Sequence, residues 1–143
     1  MYRLIYKSRS RGDIQRDTVR DILHKSMELN REAGLTGVLL ATDTHFMQVL
    51  EGEFGPLNST FFRIASDRRH DNIQLVSYGP AEKRLFQDWV MRGFGVFDLN
   101  RDLEKSLVEK YGKEGESVRF PTEEWAALAL VFDIRMMQQG VLE

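Results

Sequence analysis

The stretch LTGVLLATDTHFMQVLE, residues 35–51, contains two apolar runs separated by the polar turn Thr42-Asp43-Thr44. Both runs have the length of a β-strand, and the turn between them predicts a β-hairpin. The second run carries Gln48 on the same strand face as Phe46 and Leu50, because alternate residues point to one side. Burying a primary amide costs about 1–3 kcal/mol unless its carbonyl and its NH2 group find partners. Gln48 is therefore a candidate binding residue.

Strand and helix patterns alternate on both sides of this hairpin. The predicted strands are residues 2–8, 35–41, 45–51, 72–78 and 92–97, and the predicted helices are residues 15–31, 57–67, 101–111 and 123–139. The order β-α-β-β-α-β-β predicts an α+β fold, a ferredoxin-like sandwich with the first two helices on one face of a mixed sheet. We expect the last two helices to cover the opposite sheet face.

Two other polar residues interrupt apolar faces. Tyr6 lies in the first strand, and Asn30 lies near the end of the first helix on the same helical arc as Ile22 and Ser26. A Tyr, an Asn and a Gln that point inward from three elements are able to hydrogen-bond a planar heteroaromatic ligand. The structural alternative is that Ser26 bonds back to a helix carbonyl and that Asn30 serves the helix C-terminus.

The second helix carries Arg63 and Asp67 four residues apart, on the flank of its apolar side. One interpretation is a surface ion pair that contributes a few tenths of a kcal/mol, about 0.3–0.5. The other is a pair at the rim of a ligand slot between the two helices.

Composition excludes several classes of function. The chain has 143 residues, which predicts one domain, and its net charge of −2 gives no general attraction to nucleic acid. It has no cysteine, so thiolate catalysis and thiolate metal sites are excluded. The three histidines lack metal-site spacing, and no nucleophile or phosphate-loop motif is present. We expect no enzymatic activity.

The location of the protein is also predicted from the sequence. No apolar run approaches the roughly 20 residues that span a membrane, and the N-terminus is unlike a signal peptide. The absence of cysteine is typical of a reducing compartment. We therefore expect a soluble, cytoplasmic protein that binds neither membranes nor nucleic acid directly.

Five blocks of the sequence, in this order and spacing, resemble the BLUF family of blue-light sensors that use FAD. The blocks are Leu4–Ser8, Asn30–Gly37, Phe46–Gly52, Asp67–His70 and Arg84–Met91. The resemblance covers about residues 2–97. It implies a photosensor domain at residues 1–97, followed by a C-terminal helical pair at residues 98–143, as in short, stand-alone members of the family.

The resemblance implies non-covalent binding of FAD, with FMN or riboflavin as possible alternatives, between the first two helices. Tyr6 takes the place of the light-active tyrosine, and Gln48 that of the glutamine that bridges it to the flavin. The implied cofactor-binding residues are Ile22, Ser26, Asn30, Phe46, Gln48, Arg63, Asp67, Arg69 and His70. Trp89 and Met91 match the two residues that compete for the slot beside Gln48. Strand alternation predicts the same side for both, so one of them is expected in the slot.

The implied mechanism is a light-driven transfer of an electron and a proton from Tyr6, after which the Gln48 amide is rearranged by rotation or by tautomerisation. Such a sensor signals by contact, so we expect an unknown downstream protein partner and a homo-oligomer. The alternative functions are a ferredoxin-like regulatory or ligand-binding module without a photocycle, and a redox flavoenzyme.

The last helix has two apolar stripes. The first contains Trp125, Leu128, Ala129, Phe132 and Met136, and the second contains Ala127, Leu130, Val131, Ile134 and Met137. We expect the stripe with the two aromatic residues to pack on the sheet. The second stripe is then expected to pack on the preceding helix or on another chain.

Overall fold

The structure, a computed structural model, describes residues 1–142, with side chains as far as Met137. Its strands are β1 Tyr2–Ser10, β2 Thr36–Ala41, β3 His45–Gly52, β4 His70–Pro80, β5 Arg92–Gly95, β6 Lys113–Glu114 and β7 Ser117–Val118. Its helices are α1 Arg16–Glu32, α2 Phe54–Ala65, α3 Arg101–Tyr111 and α4 Glu124–Leu142, with a 3-10 turn at Val96–Asp98. No helix among these residues is long and apolar enough to cross a membrane.

Five strands form one mixed sheet in the order β4-β1-β3-β2-β5. Strand β1 is antiparallel to both β3 and β4, whereas β5 runs parallel to β2 at the edge. Helix α1 connects β1 to β2 and helix α2 connects β3 to β4, so each helix crosses over one intervening strand. This is the predicted ferredoxin-like α+β fold, with β5 added to the four-stranded sheet.

The hairpin of β2 and β3 forms as its sequence predicts. The Thr42 hydroxyl accepts hydrogen bonds from the backbone N–H groups of Thr44 at 3.3 Å and His45 at 3.0 Å, which closes the turn. Gly37 lies where β2 passes very close to β3, and a Cβ atom there would lie 1.9 Å from the carbonyl oxygen of Val49. A larger residue at this position would force the two strands apart.

The sheet separates two hydrophobic cores. The core under α1 and α2 consists of two adjoining clusters, one of Leu4, Tyr6, Leu35, Leu50, Leu57 and Met91, and one of Ile14, Val19, Leu39, Ala41 and Phe46. The core on the opposite face joins the sheet residues Ile5, Val38, Leu40, Met47 and Val49 to side chains of α3 and α4. The C-terminal helices therefore cover the second face of the sheet, as predicted.

The orientation of α4 differs from the prediction. The stripe with Leu130, Val131 and Ile134 is fully buried against the sheet, whereas Trp125 is 71% exposed and Met136 is 69% exposed. The expectation that the aromatic stripe packs on the sheet is wrong. Phe132 of the aromatic stripe stacks at the edge of this core on Phe86, with 5.7 Å between the ring centroids, while the branched aliphatic stripe of α4 fills the space against the sheet.

Several boundaries also differ. Helix α2 begins at Phe54, because Pro56 lies in the first helical turn, where its missing N–H has no helical partner to lose. Strand β5 ends at Gly95, and the chain then forms the 3-10 turn. The strands β6 and β7 were not predicted, since each has two residues and no alternating pattern to detect.

Candidate functional site

A cavity of about 240 Å³ lies between α1, α2 and the sheet. Its lining residues are Tyr6, Ile22, Lys25, Ser26, Leu29, Asn30, Leu39, Phe46, Gln48, Thr60, Arg63, Ile64, Asp67, Arg69 and His70. All nine residues predicted to bind a cofactor are among them, together with Tyr6. Their role in binding stays a prediction, but the structure brings them to one place.

The floor of the cavity is a row of side chains from three adjacent strands. Tyr6 of β1 lies opposite Gln48 of β3, which in turn lies opposite Leu39 of β2. The Tyr6 hydroxyl donates a hydrogen bond to Oε1 of Gln48 at 2.6 Å, and both residues are buried. Register across the sheet therefore sets the distance between the two polar groups.

The other end of the Gln48 amide is poorly satisfied. Its Nε2 atom donates to Sδ of Met91 at 3.3 Å, and a thioether sulfur is a weak acceptor. The amide therefore has one strong partner and one weak partner in a buried setting. This arrangement leaves the NH2 group of Gln48 able to donate to a ligand in the cavity.

Met91, and not Trp89, lies beside Gln48. Trp89 lies on the other side of the sheet, where its ring stacks on Phe86 with 5.5 Å between the ring centroids and packs against Phe94. The prediction that Trp89 and Met91 point to the same side is wrong, because residues 86–91 form a turn and bends in which strand alternation does not apply. One of the two residues fills the slot, as expected.

Helix α1 supplies the wall above this floor. The Ser26 hydroxyl donates to the carbonyl oxygen of Ile22 at 2.8 Å, so its proton is used within the helix, as the structural alternative stated. The backbone carbonyl of Asn30 accepts from the N–H of Leu35 at 2.9 Å and so ends the helix. Within the described residues the buried Asn30 side chain makes no hydrogen bond, so its amide is available to a ligand.

The carboxylate at the rim of the cavity pairs with a different arginine from the one predicted. Asp67 accepts hydrogen bonds from the backbone N–H and the guanidinium of Arg69, the first at 2.9 Å, and forms an ion pair with it. Helix α2 ends at Ala65, so the helical spacing between Arg63 and Asp67 does not continue. The guanidinium of Arg69 holds the pKa of Asp67 below its usual value.

Burial and charge keep the Tyr6 phenol protonated. Burial raises its pKa well above the usual value, and the nearby negative charge of Asp67 raises it further. The phenol is therefore a hydrogen-bond donor at physiological pH, which agrees with its short bond to Gln48.

His70, the first residue of β4, is hydrogen-bonded through its ring to helix α2 and to strand β1. Its Nε2 atom lies 2.7 Å from the carbonyl oxygen of Ile64, so this nitrogen carries the hydrogen. Its Nδ1 atom accepts from the Ser8 hydroxyl at 2.7 Å. The ring lies edge-on to Tyr6, with 6.1 Å between centroids, and so supports the position of the phenol.

Sequence reasoning missed five residues of the lining: Lys25, Leu29, Leu39, Thr60 and Ile64. A signal for most of them was present. Positions 22, 25, 26, 29 and 30 follow the spacing of one face of α1, and positions 60, 63 and 64 follow that of one face of α2. Extending the two faces from the predicted residues would have found Lys25, Leu29, Thr60 and Ile64.

Comparison with known proteins shows to which family the chain belongs. A family model described as "BLUF: Sensors of blue-light using FAD" matches residues 1–92. The chain belongs to the BLUF family. This match confirms the resemblance found in the sequence, and it supports a flavin-binding blue-light sensor over a ferredoxin-like module without a photocycle.

Relatives of the chain include larger BLUF proteins. The photoactivated adenylate cyclase subunit alpha of Euglena gracilis is 30% identical over 81 residues, which are 57% of this chain and 8% of the cyclase subunit. The blue light- and temperature-regulated antirepressor BluF of Escherichia coli (strain K12) is 28% identical over 116 residues, 80% of this chain and 28% of the antirepressor. The chain therefore spans less than a third of either relative.

Two similar solved structures match along nearly the whole chain. One is the dark-state structure of BlrB, a BLUF protein, with a TM-score of 0.73 and 28% identity over 93% of both chains. The other is BlsA in its photo-activated state, with a TM-score of 0.69 and 26% identity over 95% of this chain and 93% of BlsA. The ferredoxin-like architecture is thus shared with BLUF proteins.

The cavity fits the cofactor of the BLUF family. Its lining includes the apolar side chains of Ile22, Leu39 and Phe46, which suit the faces of a planar ring. The amides of Asn30 and Gln48 each have unused hydrogen-bonding capacity for the polar edge of such a ring. Among the described residues, no group of three or more His, Asp or Glu side chains is placed to hold a metal ion.

Proposed function

We propose that this chain is a blue-light photoreceptor that binds FAD non-covalently in the cavity between α1 and α2, with Tyr6 and Gln48 as its light-responsive pair. One observation carries the proposal. The Tyr6 hydroxyl lies 2.6 Å from Oε1 of Gln48, while among the residues that the structure describes Nε2 of the same amide has a thioether as its one partner. The amide is therefore bonded to a redox-active phenol and can still change its own orientation.

The lining residues have separate roles in binding. Asn30 offers a donor and an acceptor to the polar edge of the ring, and Ile22, Ser26 and Phe46 form the walls. At the rim, Arg63 is a cation directed to the anionic part of the cofactor. The Asp67–Arg69 pair and His70 fix the end of α2 against the sheet.

A bound flavin supplies the absorption of blue light and, when excited, a strong oxidant. The chain supplies the proton chemistry. Once an electron has been drawn from Tyr6, its phenolic proton becomes strongly acidic, and the short hydrogen bond directs it from Oη to Oε1 of Gln48. When Tyr6 recovers its electron and proton, Gln48 is left either rotated or as its tautomer.

Both outcomes change the hydrogen bonds that Gln48 offers to the ring, because rotation exchanges the positions of Nε2 and Oε1, whereas tautomerisation moves a hydrogen from Nε2 to Oε1. In the rotated amide, Nε2 donates to Tyr6 Oη and Oε1 faces Met91. A glutamine suits this role because its donor and acceptor ends have similar shapes, so one side chain can serve two hydrogen-bonded networks.

The proposal is tested with Tyr6→Phe and Gln48→Leu. Both variants should bind FAD and lose the light-induced red shift, because the first has no transferable proton and the second has no amide. Absorption spectra before and after blue light, and during dark recovery, measure the effect. Tyr78→Phe is the matched control, since the Tyr78 hydroxyl bonds to Asn58 outside the cavity. A normal shift in Tyr6→Phe would exclude Tyr6 as the donor.

We place the photosensor at residues 1–97 and the output segment at residues 98–143. The support is the outward face of α4, where Trp125 and Met136 are largely exposed. This face is the proposed contact with a downstream protein or with a second copy of the chain. We further propose that the chain acts by such contacts and not by catalysis, and that it is cytoplasmic, in agreement with its lack of cysteine.

A further inference from the structure

The cavity has an electrostatic character opposite to that of the whole chain. Its lining contains three cationic side chains, Lys25, Arg63 and Arg69, and one carboxylate, Asp67. The lining therefore carries a net charge of +2, from three positive charges and one negative charge, while the chain as a whole carries −2. A positive site on an acidic protein indicates a ligand with a negative charge.

Two of the three cations are uncompensated. Arg69 is neutralised by its ion pair with Asp67. Lys25 has the acidic neighbours Asp21 and Glu28 at i−4 and i+3 on α1, but neither forms an ion pair with it. Among the described residues, Arg63 likewise has no acidic group within ion-pair distance.

These two cations lie at the solvent end of the cavity. Lys25 on α1 and Arg63 on α2 are both exposed, whereas Asn30 and Gln48 at the inner end are buried. The cavity is thus graded from buried amides at the sheet to positive charge at the mouth. A ligand with a hydrogen-bonding ring at one end and an anionic group at the other matches this gradient.

We propose that Lys25, together with Arg63, binds the phosphate of the flavin side chain, so that this cavity binds FMN and FAD more tightly than riboflavin. The inference rests on the proposed function, the binding of a flavin ring between α1 and α2. It assigns Lys25, which sequence reasoning did not indicate, a role in selecting the cofactor. It also predicts which of the candidate flavins are retained.

The size of the preference follows from the exposure of the two cations. An exposed ion pair contributes at most a modest free energy, equivalent to about a fivefold change in dissociation constant, and salt screens it. We therefore expect FMN to bind about five- to twentyfold more tightly than riboflavin at low ionic strength. The difference should shrink in high salt.

Equilibrium dialysis of the full chain against riboflavin, FMN and FAD, at low and high salt, tests the inference. Lys25→Met should raise the dissociation constant for FMN by about two- to fivefold and leave that for riboflavin unchanged. Arg63→Met should act in the same direction, and the double variant should bind FMN and riboflavin alike. Lys105→Met on α3 is the matched control, because it removes an exposed lysine on the face of the sheet opposite to the cavity.

The outcomes separate this inference from the proposed function. Equal binding of riboflavin and FMN by the unmodified chain would overturn the phosphate site and leave the flavin site intact. An equal loss of both ligands in Lys25→Met would also overturn it, since the lysine would then act by packing on the ring. A similar rise in the dissociation constant for FMN in Lys105→Met would also overturn it, since the effect would then come from the overall charge of the protein. Failure to bind any of the three flavins would refute the proposed function itself.

Discussion

The buried carboxylate of Glu51 offers a quantitative test of how the segment that carries Met91 is held. Glu51 is fully buried in β3, three residues beyond Gln48. Its oxygens accept from the backbone N–H groups of Leu85 at 2.9 Å and Phe86 at 2.8 Å, and from Nε of Arg3 at 2.9 Å. This single side chain therefore anchors the loop between β4 and β5 to the centre of the sheet.

Glu51→Gln keeps the shape of the side chain and removes its charge. The amide oxygen can replace one carboxylate oxygen as an acceptor. The NH2 group takes the place of the other oxygen, and because it is itself a donor it cannot accept from the N–H groups there. A hydrogen bond to a charged group contributes about 1.5–3 kcal/mol, and removal of one partner from a buried ion pair costs about 3–5 kcal/mol. Arg3 keeps its bond to the carbonyl oxygen of Lys83, so we expect a loss near the lower end, about 3 kcal/mol.

Urea unfolding followed by circular dichroism measures this loss, with both proteins at the same flavin saturation because a bound ligand adds stability. The same change should lower the melting temperature by roughly 10 °C. Arg20→Met is the control, because its pair with Asp17 is exposed and should change stability by less than about 0.5 kcal/mol. A loss below about 1 kcal/mol in Glu51→Gln would contradict the anchoring role.

Three further predictions concern the cofactor, the output surface and the buried stripe of α4. Asn30→Ala should raise the dissociation constant for FAD about tenfold, because it leaves polar groups unpaired, whereas Tyr6→Phe should change it little; equal constants in dialysis would count against this. If the outward face of α4 forms a contact, Trp125→Ser and Met136→Lys should reduce self-association or partner capture in sedimentation and pull-down assays, in dark or in light. Unchanged behaviour of folded, flavin-loaded variants would remove this face from the output path. Val131→Glu, by contrast, should unfold the protein, since Val131 is buried.

Residues in regular elements could be predicted from the sequence because their periodicity is set by backbone geometry. Gln48 and Phe46 share a strand face, and Asn30 and Ser26 share a helical arc. Their sequence spacing therefore predicts which side of each element they occupy, and all four line the cavity. The hairpin that presents Gln48 was recognised from its two apolar runs. The fold and most of the cavity lining follow from such local patterns.

The contacts that were predicted wrongly lie where helices and strands end. Asp67 pairs with Arg69 because α2 stops at Ala65, and a helical spacing has no meaning beyond that point. Trp89 and Met91 diverge because their segment turns before β5 begins. Endpoints of this kind are decided by tertiary contacts, which the sequence pattern does not contain.

The sequence also does not distinguish between surfaces or side chains of similar chemistry. The two stripes of α4 are almost equally apolar, so hydrophobicity alone did not indicate which one faces the sheet. Lys25 resembles any solvent-facing lysine of an amphipathic helix. Its spacing from Ile22 places it on the cavity side of α1, but the cavity that it shares with Arg63 becomes visible only when α1 and α2 are placed side by side.

The loop held by Glu51 touches both cores of the molecule. Met91 contacts Gln48 on the cavity side, and two residues earlier Trp89 packs in the opposite core, where the guanidinium of Arg135 on α4 lies 4.9 Å from the centroid of its ring. In the proposed mechanism, a rotated Gln48 would present Oε1 to the Met91 sulfur in place of Nε2, which would remove the hydrogen bond to the sulfur and change how this loop is held. The loop thus contacts both the cavity and α4. The Glu51→Gln variant tests whether its anchor serves folding alone or the light response as well. Loss of stability with normal dark recovery would assign the anchor to folding alone, whereas altered recovery at equal flavin saturation would assign it to the switch as well.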